Sequence, residues 1–185
     1  MRAPSGLSAM VRVWDPFVRI FHWALAASFA VAWASSENSE RVHDVAGYAA
    51  GGLVALRIVW GFVGSRYARF RQFVRSPGTV IDYLRAIGNG SERRYIGHNP
   101  AGGAMILVLL AAMAATAASG SLLTTDAFWG SEAMQRVHSL LAWGVVVLVA
   151  AHLGGVALAS LRHRENLVRA MVFGVKRPAG PGDVA

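Results

Sequence analysis

No cysteine occurs in the sequence. That excludes disulfides, thiolate-held iron–sulfur clusters and the C-x-x-C-H attachment of c-type haem. Charge is scarce too: 15% of the 185 residues are Asp, Glu, Lys or Arg, whereas 55% are hydrophobic, and the mean hydropathy is +0.42. Soluble domains carry about 25% charged residues, so water is not the natural solvent of this chain. There is no internal repeat. What is present is four apolar runs, at residues 17–35, 42–63, 100–123 and 133–161, each able to cross a hydrocarbon core that takes roughly 20 helical residues. The expected fold class is therefore all-α, an integral membrane four-helix bundle. It forms one domain over residues 1–177, with "PAGPGDVA" at 178–185 as a loose tail.

The net charge of +8 is distributed by side of the membrane and not as a nucleic-acid patch. Arg2, Arg12 and Arg19 lie at the start of the first run. Arg66, Arg69, Arg71, Arg75, Arg85, Arg93 and Arg94 lie between the second and third, and Arg162, Arg164, Arg169, Lys176 and Arg177 follow the fourth. The two short loops on the opposite side hold Arg41 and Arg136 beside Glu37, Glu40, Asp126 and Glu132. Cytoplasmic loops carry the excess of Lys and Arg, so both termini are expected in the cytoplasm. Ala32-Trp33-Ala34 imitates a signal-peptide cleavage site, but the basic region before it is long and His22-Trp23 interrupts the apolar stretch.

Asp15-Pro16 and Asn99-Pro100 read as N-caps followed by proline at the first helical position. Both helices then start on the basic side. Trp14, Trp33, Trp60 and Trp129 fall near span ends, where amphipathic rings favour the interface. Between the second and third runs, Val80, Ile81, Leu84 and Ile87 recur at helical spacing and predict a short amphipathic helix lying on the membrane surface. Gly47 and Gly51, and Gly154-Gly155, admit two readings: close helix packing or room for a flat cofactor.

Histidine is the residue type that calls for a function, because ionisable groups inside lipid are costly. His138 and His152 are fourteen residues apart, which is about 21 Å of helix rise and about 1400° of rotation, within about 40° of four full turns. They share a face at two depths. His43 begins the second span at the outer side and is placed to oppose His138. His22 lies in the inner half of the first span and is placed to oppose His152. Two opposed imidazoles at each of two depths suit two six-coordinate haem irons. With no c-type attachment motif, these would be two non-covalent haem b groups with bis-histidine ligation. The match in depth is imperfect, since His22 is three residues from Arg19 and His152 is ten from Arg162. Arg57 is fourteen residues from His43, on the same face near the inner pair, where a guanidinium would bind a propionate carboxylate. His98 and His163 are expected at the interface without a metal. The residues around His98 could hold a propionate or a quinone head group.

The motifs "WDPFVRIFHW", "HDVAGY", "LRIVWGFVG", "YARFRQFV", "YIGHNPAGGAM", "VHSLLAW", "AHLGG" and "HRENLVRAM", in this order over about residues 14–176, resemble the bacterial cytochrome b561 family. The resemblance is to the branch that includes the b-type cytochrome subunits of nickel–iron hydrogenases. It implies a di-haem membrane protein exchanging electrons between membrane quinone and a redox partner. Its ligands would be His22 and His152 for the inner haem, and His43 and His138 for the outer. The implied partner is a periplasmic c-type cytochrome or a hydrogenase-like enzyme. The short outer loops favour a loosely bound cytochrome. Competing readings are a histidine-based ion or proton transporter, a membrane anchor without redox function, and a zinc or copper enzyme, which would gather three or more ligands at one depth.

Overall fold

The structure is a computed structural model that describes residues 10–185; Arg2 lies outside the described residues. Four helices are long and apolar enough to span a membrane. They are α1 (Pro16–Ser35), α2 (Glu40–Val63), α5 (Pro100–Leu123) and α6 (Glu132–Arg162). Between α2 and α5 lie a single turn, α3 (Phe70–Phe73), and the amphipathic α4 (Pro77–Asn89); α7 (Leu167–Phe173) follows α6. Two short strands, β1 (Val11–Arg12) and β2 (Val175–Lys176), pair antiparallel.

The helix boundaries follow local chemistry. Asp15 accepts the Val18 amide at 2.9 Å and Asn99 accepts that of Gly102 at 2.7 Å, each ahead of a proline at the first turn. Both therefore act as the expected N-caps. Ser76 and Pro77 open α4 in the same way, and Gly90, at φ 69°, closes it in the left-handed region that glycine enters without strain. Asn166 caps α7 and Gly174, at φ 80°, ends it.

Packing runs in sequence from α1 to α2, from α2 to α5 and from α5 to α6. Among the described residues, α6 makes no comparable backbone approach to α1 or α2. Phe21, Ala50, Val54, Leu110, Met113 and Val145 form the buried centre of the bundle. Ile20, Leu56, Phe62, Leu140, Val147 and Leu161 point outward and stay exposed, as residues facing hydrocarbon should. A second cluster, built from Val13, Trp14, Val18, Ala68 and Ile96, closes the end of the bundle where the arginines gather.

The segment after Arg177, expected to be loose, makes specific contacts at this basic end. Val184 gives its amide to Arg94 O and accepts that of Ile96, both at 2.9 Å. The Asp183 carboxylate pairs with the buried Arg94 guanidinium. A buried cation needs paired charge, and the tail supplies one of two carboxylates that meet it.

Candidate functional site

His43, in the first turn of α2, and His138, in the second turn of α6, face each other with ring centres 6.0 Å apart and planes at 82°. His43 Nδ1 lies 2.8 Å from Ala32 O. His138 Nδ1 lies 3.1 Å from Thr116 O and 3.0 Å from Ser119 Oγ. A carbonyl oxygen only accepts, so each Nδ1 carries the proton and donates it. That leaves each Nε2 lone pair free, the arrangement by which an outer hydrogen bond orients a metal-binding imidazole. Gly120 belongs to this pair: a Cβ there would stand 3.0 Å from the His138 ring.

His22 on α1 and His152 on α6 meet nearer the basic end, with ring centres 6.5 Å apart and planes at 49°. The mismatch in depth read from the flanking arginines does not keep them apart. The 31 residues of α6, about 46 Å at helical rise, outrun the 20 of α1, so Arg162 marks a helix end that projects beyond the bundle. The Nδ1 of His22 is buried without a partner.

Arg57 is 3% exposed within α2. Its Nη2 donates to Ala68 O at 3.0 Å, its guanidinium lies 5.5 Å from the centre of the Phe70 ring, and its Nη1 has no partner. Phe70 reaches this position because Gly61 offers no side chain: a Cβ there would collide with the ring at 2.1 Å. His98, assigned from sequence to the interface, is wedged between Trp14 at 4.5 Å and Phe73 at 4.8 Å. Its Nδ1 is also buried and unpartnered. Burial first, then the nearby Lys176 and Arg57 charges, push its pKa down to about 3, so this imidazole is neutral at physiological pH. Lys176 is likewise pushed down to about 8 by burial.

Sequence reasoning did not find Lys176, which reaches the site through the β1–β2 pairing, or Ser119, which lies in the small-residue run "AATAASGS" and reads there as helix packing. The glycines divide between their two readings. A Cβ on Gly51 would press on Ala117 at 3.2 Å, which is helix packing, whereas Gly47, one turn from His43, and Gly154-Gly155 have nothing within 4 Å.

The residues fit the group that their chemistry suggests. Two imidazoles bound to one metal through nitrogens at about 2 Å, each with its ring centre about 1 Å further out, hold those centres ~6 Å apart, close to the separation of both pairs. The orphaned His22 Nδ1 and Arg57 Nη1 and the open space at Gly47, one turn from His43, are compatible with a flat, anionic cofactor. Among the described residues no three of His, Cys, Asp or Glu gather in one place; the imidazoles come in opposed twos.

Comparison with known proteins gives one family: the model described as prokaryotic cytochrome b561 matches residues 13–174. No curated protein and no solved structure gives a match. The match spans all four membrane helices and every histidine considered above, and so the chain belongs to the prokaryotic cytochrome b561 family, multi-pass membrane proteins of electron transport that bind b-type haem.

Proposed function

We propose that the protein carries electrons across the bacterial inner membrane through two b-type haems, linking the quinone pool to a periplasmic redox partner, a c-type cytochrome or a hydrogenase-like enzyme. The carrying observation is the stacking of two opposed imidazole pairs on one shared helix, with ring centres 6.5 Å and 6.0 Å apart. His22 and His152 would hold the haem at the basic end, the cytoplasmic one on this proposal; His43 and His138 would hold the haem at the outer end. Each haem supplies one-electron chemistry at a potential set by ligation, burial and hydrogen bonding. The protein's part is to hold the imidazoles. Ala32 O, Thr116 O and Ser119 fix the outer pair in the tautomer that offers Nε2. Arg57 and His98 each keep a buried polar atom without a partner, which propionate carboxylates or a quinone oxygen would satisfy.

The transporter reading lacks its usual groups. Relays in membranes employ carboxylates, and within the four spans the acidic residues are Glu40, Asp44 and Glu132, all in the first two turns of α2 or α6. The test of the proposal is a dithionite-reduced minus oxidised spectrum of the purified chain, with haem counted as pyridine haemochrome. Two b-type haems per polypeptide are expected; one would break half of the pairing, and none would overturn it.

Arg57 provides a finer test. In Arg57→Leu the inner haem loses a neighbouring positive charge that favours the reduced state. Its midpoint potential should fall by on the order of tens of mV, with the outer haem moved less. A redox titration resolving the two components reads this directly. Equal shifts would assign Arg57 to general packing.

A further inference from the structure

A basic site lies apart from the two histidine pairs, at the end of the molecule where the arginines gather. The loop before α5, the end of α6 and the C-terminal segment enclose an open cavity of about 460 Å³. Arg93, Arg94, Arg162, His163, Arg164 and Arg177 line it, against the carboxylates of Glu92 and Asp183. Both carboxylates are already engaged, Glu92 by Arg162 at 2.9 Å and Asp183 by Arg94. Among the described residues the guanidinium groups of Arg93, Arg164 and Arg177 make no ion pair. Arg93 and Arg177 are steadied through backbone carbonyls instead, Arg93 Nε donating to Gly182 O at 2.9 Å and Arg177 Nη2 to His163 O at 3.4 Å. Arg164 is the one non-glycine residue with positive φ among those described, at 49°. A glycine would carry that turn without strain; the arginine adds an exposed guanidinium at the cavity.

The surroundings indicate what the cavity takes. Arg162 ties it to α4 by donating to Ile87 O at 2.6 Å, and α4 leaves Ile81 and Leu84 exposed. On the other flank, α7 begins three residues after Arg164 and leaves Val168, Val172 and Phe173 exposed. Apolar side chains on short helices at the end of a spanning helix lie at the headgroup boundary, and guanidinium groups outside any ion pair at that depth suit phosphate. We propose that this cavity binds the phosphate headgroup of an anionic phospholipid, with Arg93, Arg164 and Arg177 as its recognising charges.

Native mass spectrometry of the full-length chain, extracted into detergent and titrated with cardiolipin or with phosphatidylcholine, tests this. The wild type should keep bound cardiolipin and not phosphatidylcholine. The triple variant Arg93→Gln, Arg164→Gln, Arg177→Gln should bind cardiolipin on the order of 100-fold more weakly. Arg164→Gln alone, a change at an exposed position, should weaken binding about fivefold, and gel filtration would verify that both variants stay folded. The control Arg66→Gln, Arg71→Gln removes charge from the segment between α2 and α4, which does not line the cavity, and should bind as the wild type does. Equal loss in that control would reduce the effect to bulk charge and overturn the site. So would absence of any cardiolipin adduct in the wild type, or full displacement of the lipid by millimolar inorganic phosphate, which would make the ligand free phosphate.

Discussion

Alanine in place of His138 should halve the haem content, removing the outer haem and sparing the inner; alanine in place of His152 should do the reverse. The two pairs share α6 but no ligand, and about 21 Å of helix separates them. On the proposed assignment, loss of one imidazole would remove one of the two residues that hold the haem at that depth. The effect should stay local because the anchors are local. His138 is oriented by Thr116 and Ser119 on α5, and His43 by Ala32 on α1, whereas the His22 Nδ1 of the inner pair has no partner. Haemochrome assay should fall from two to one per chain in each variant, and redox titration should retain a single, different component in the two cases. A variant that kept both haems would refute the ligand assignment at that depth, and one that lost both would show the pairs to be a single cooperative unit.

The spanning helices were legible in the sequence because hydrophobic length and the Asp-Pro and Asn-Pro starts are local signals. The runs at 17–35, 42–63, 100–123 and 133–161 lie within two residues of α1, α2, α5 and α6 at every boundary. The amphipathic helix was legible for the same reason: its apolar spacing is a property of one segment. The histidine meetings followed from helical arithmetic, since fourteen residues nearly complete four turns. What escaped is the tertiary closure of the basic end. β1 and β2 are two residues each, too short for any periodicity, and they exist because distant segments meet. α3 is one turn, formed where Phe70 and Phe73 dock beside Gly61 and Gly103. His98 was expected at the interface, and its burial depends on Trp14 and Phe73 arriving from other segments. The hold on the tail had no signal in "PAGPGDVA" itself, because the partner of Asp183 is a buried arginine 89 residues earlier.

That arginine carries the second large expectation: Arg94→Leu should destabilise the closure of the basic end by about 3–5 kcal/mol. The Arg94 side chain is 4% exposed and its guanidinium is nearly saturated. Nη2 and Nε donate to Glu165 at 2.7 and 3.2 Å, Nη1 meets Asp183, and Nη2 also reaches Arg177 O at 3.0 Å. Leucine would leave Glu165 in a buried position with Lys176 Nζ, 3.9 Å away, as its nearest cation, and removing one member of a buried pair costs more than the pair contributed. Glu165→Leu added to Arg94→Leu should therefore recover much of the loss. Burial alone would raise the carboxyl pKa values of Glu165 and Asp183. In Glu165 the Arg94 bond and nearby Lys176 outweigh that, and in Asp183 the Gly180 amide and Arg94 do, so both are held below their usual range. A depressed carboxylate contributes stability above its unfolded pKa and loses it as pH falls through the folded value. In the wild type the closure should thus hold at neutral pH and release only below about pH 4. Hydrogen exchange at the Val184 and Ile96 amides, which the closure protects, gives the measurement. The wild type should exchange slowly until strongly acidic pH, and Arg94→Leu should exchange rapidly already at pH 7. Unchanged protection in the variant would mean that the backbone pairing holds the tail without the ion pairs.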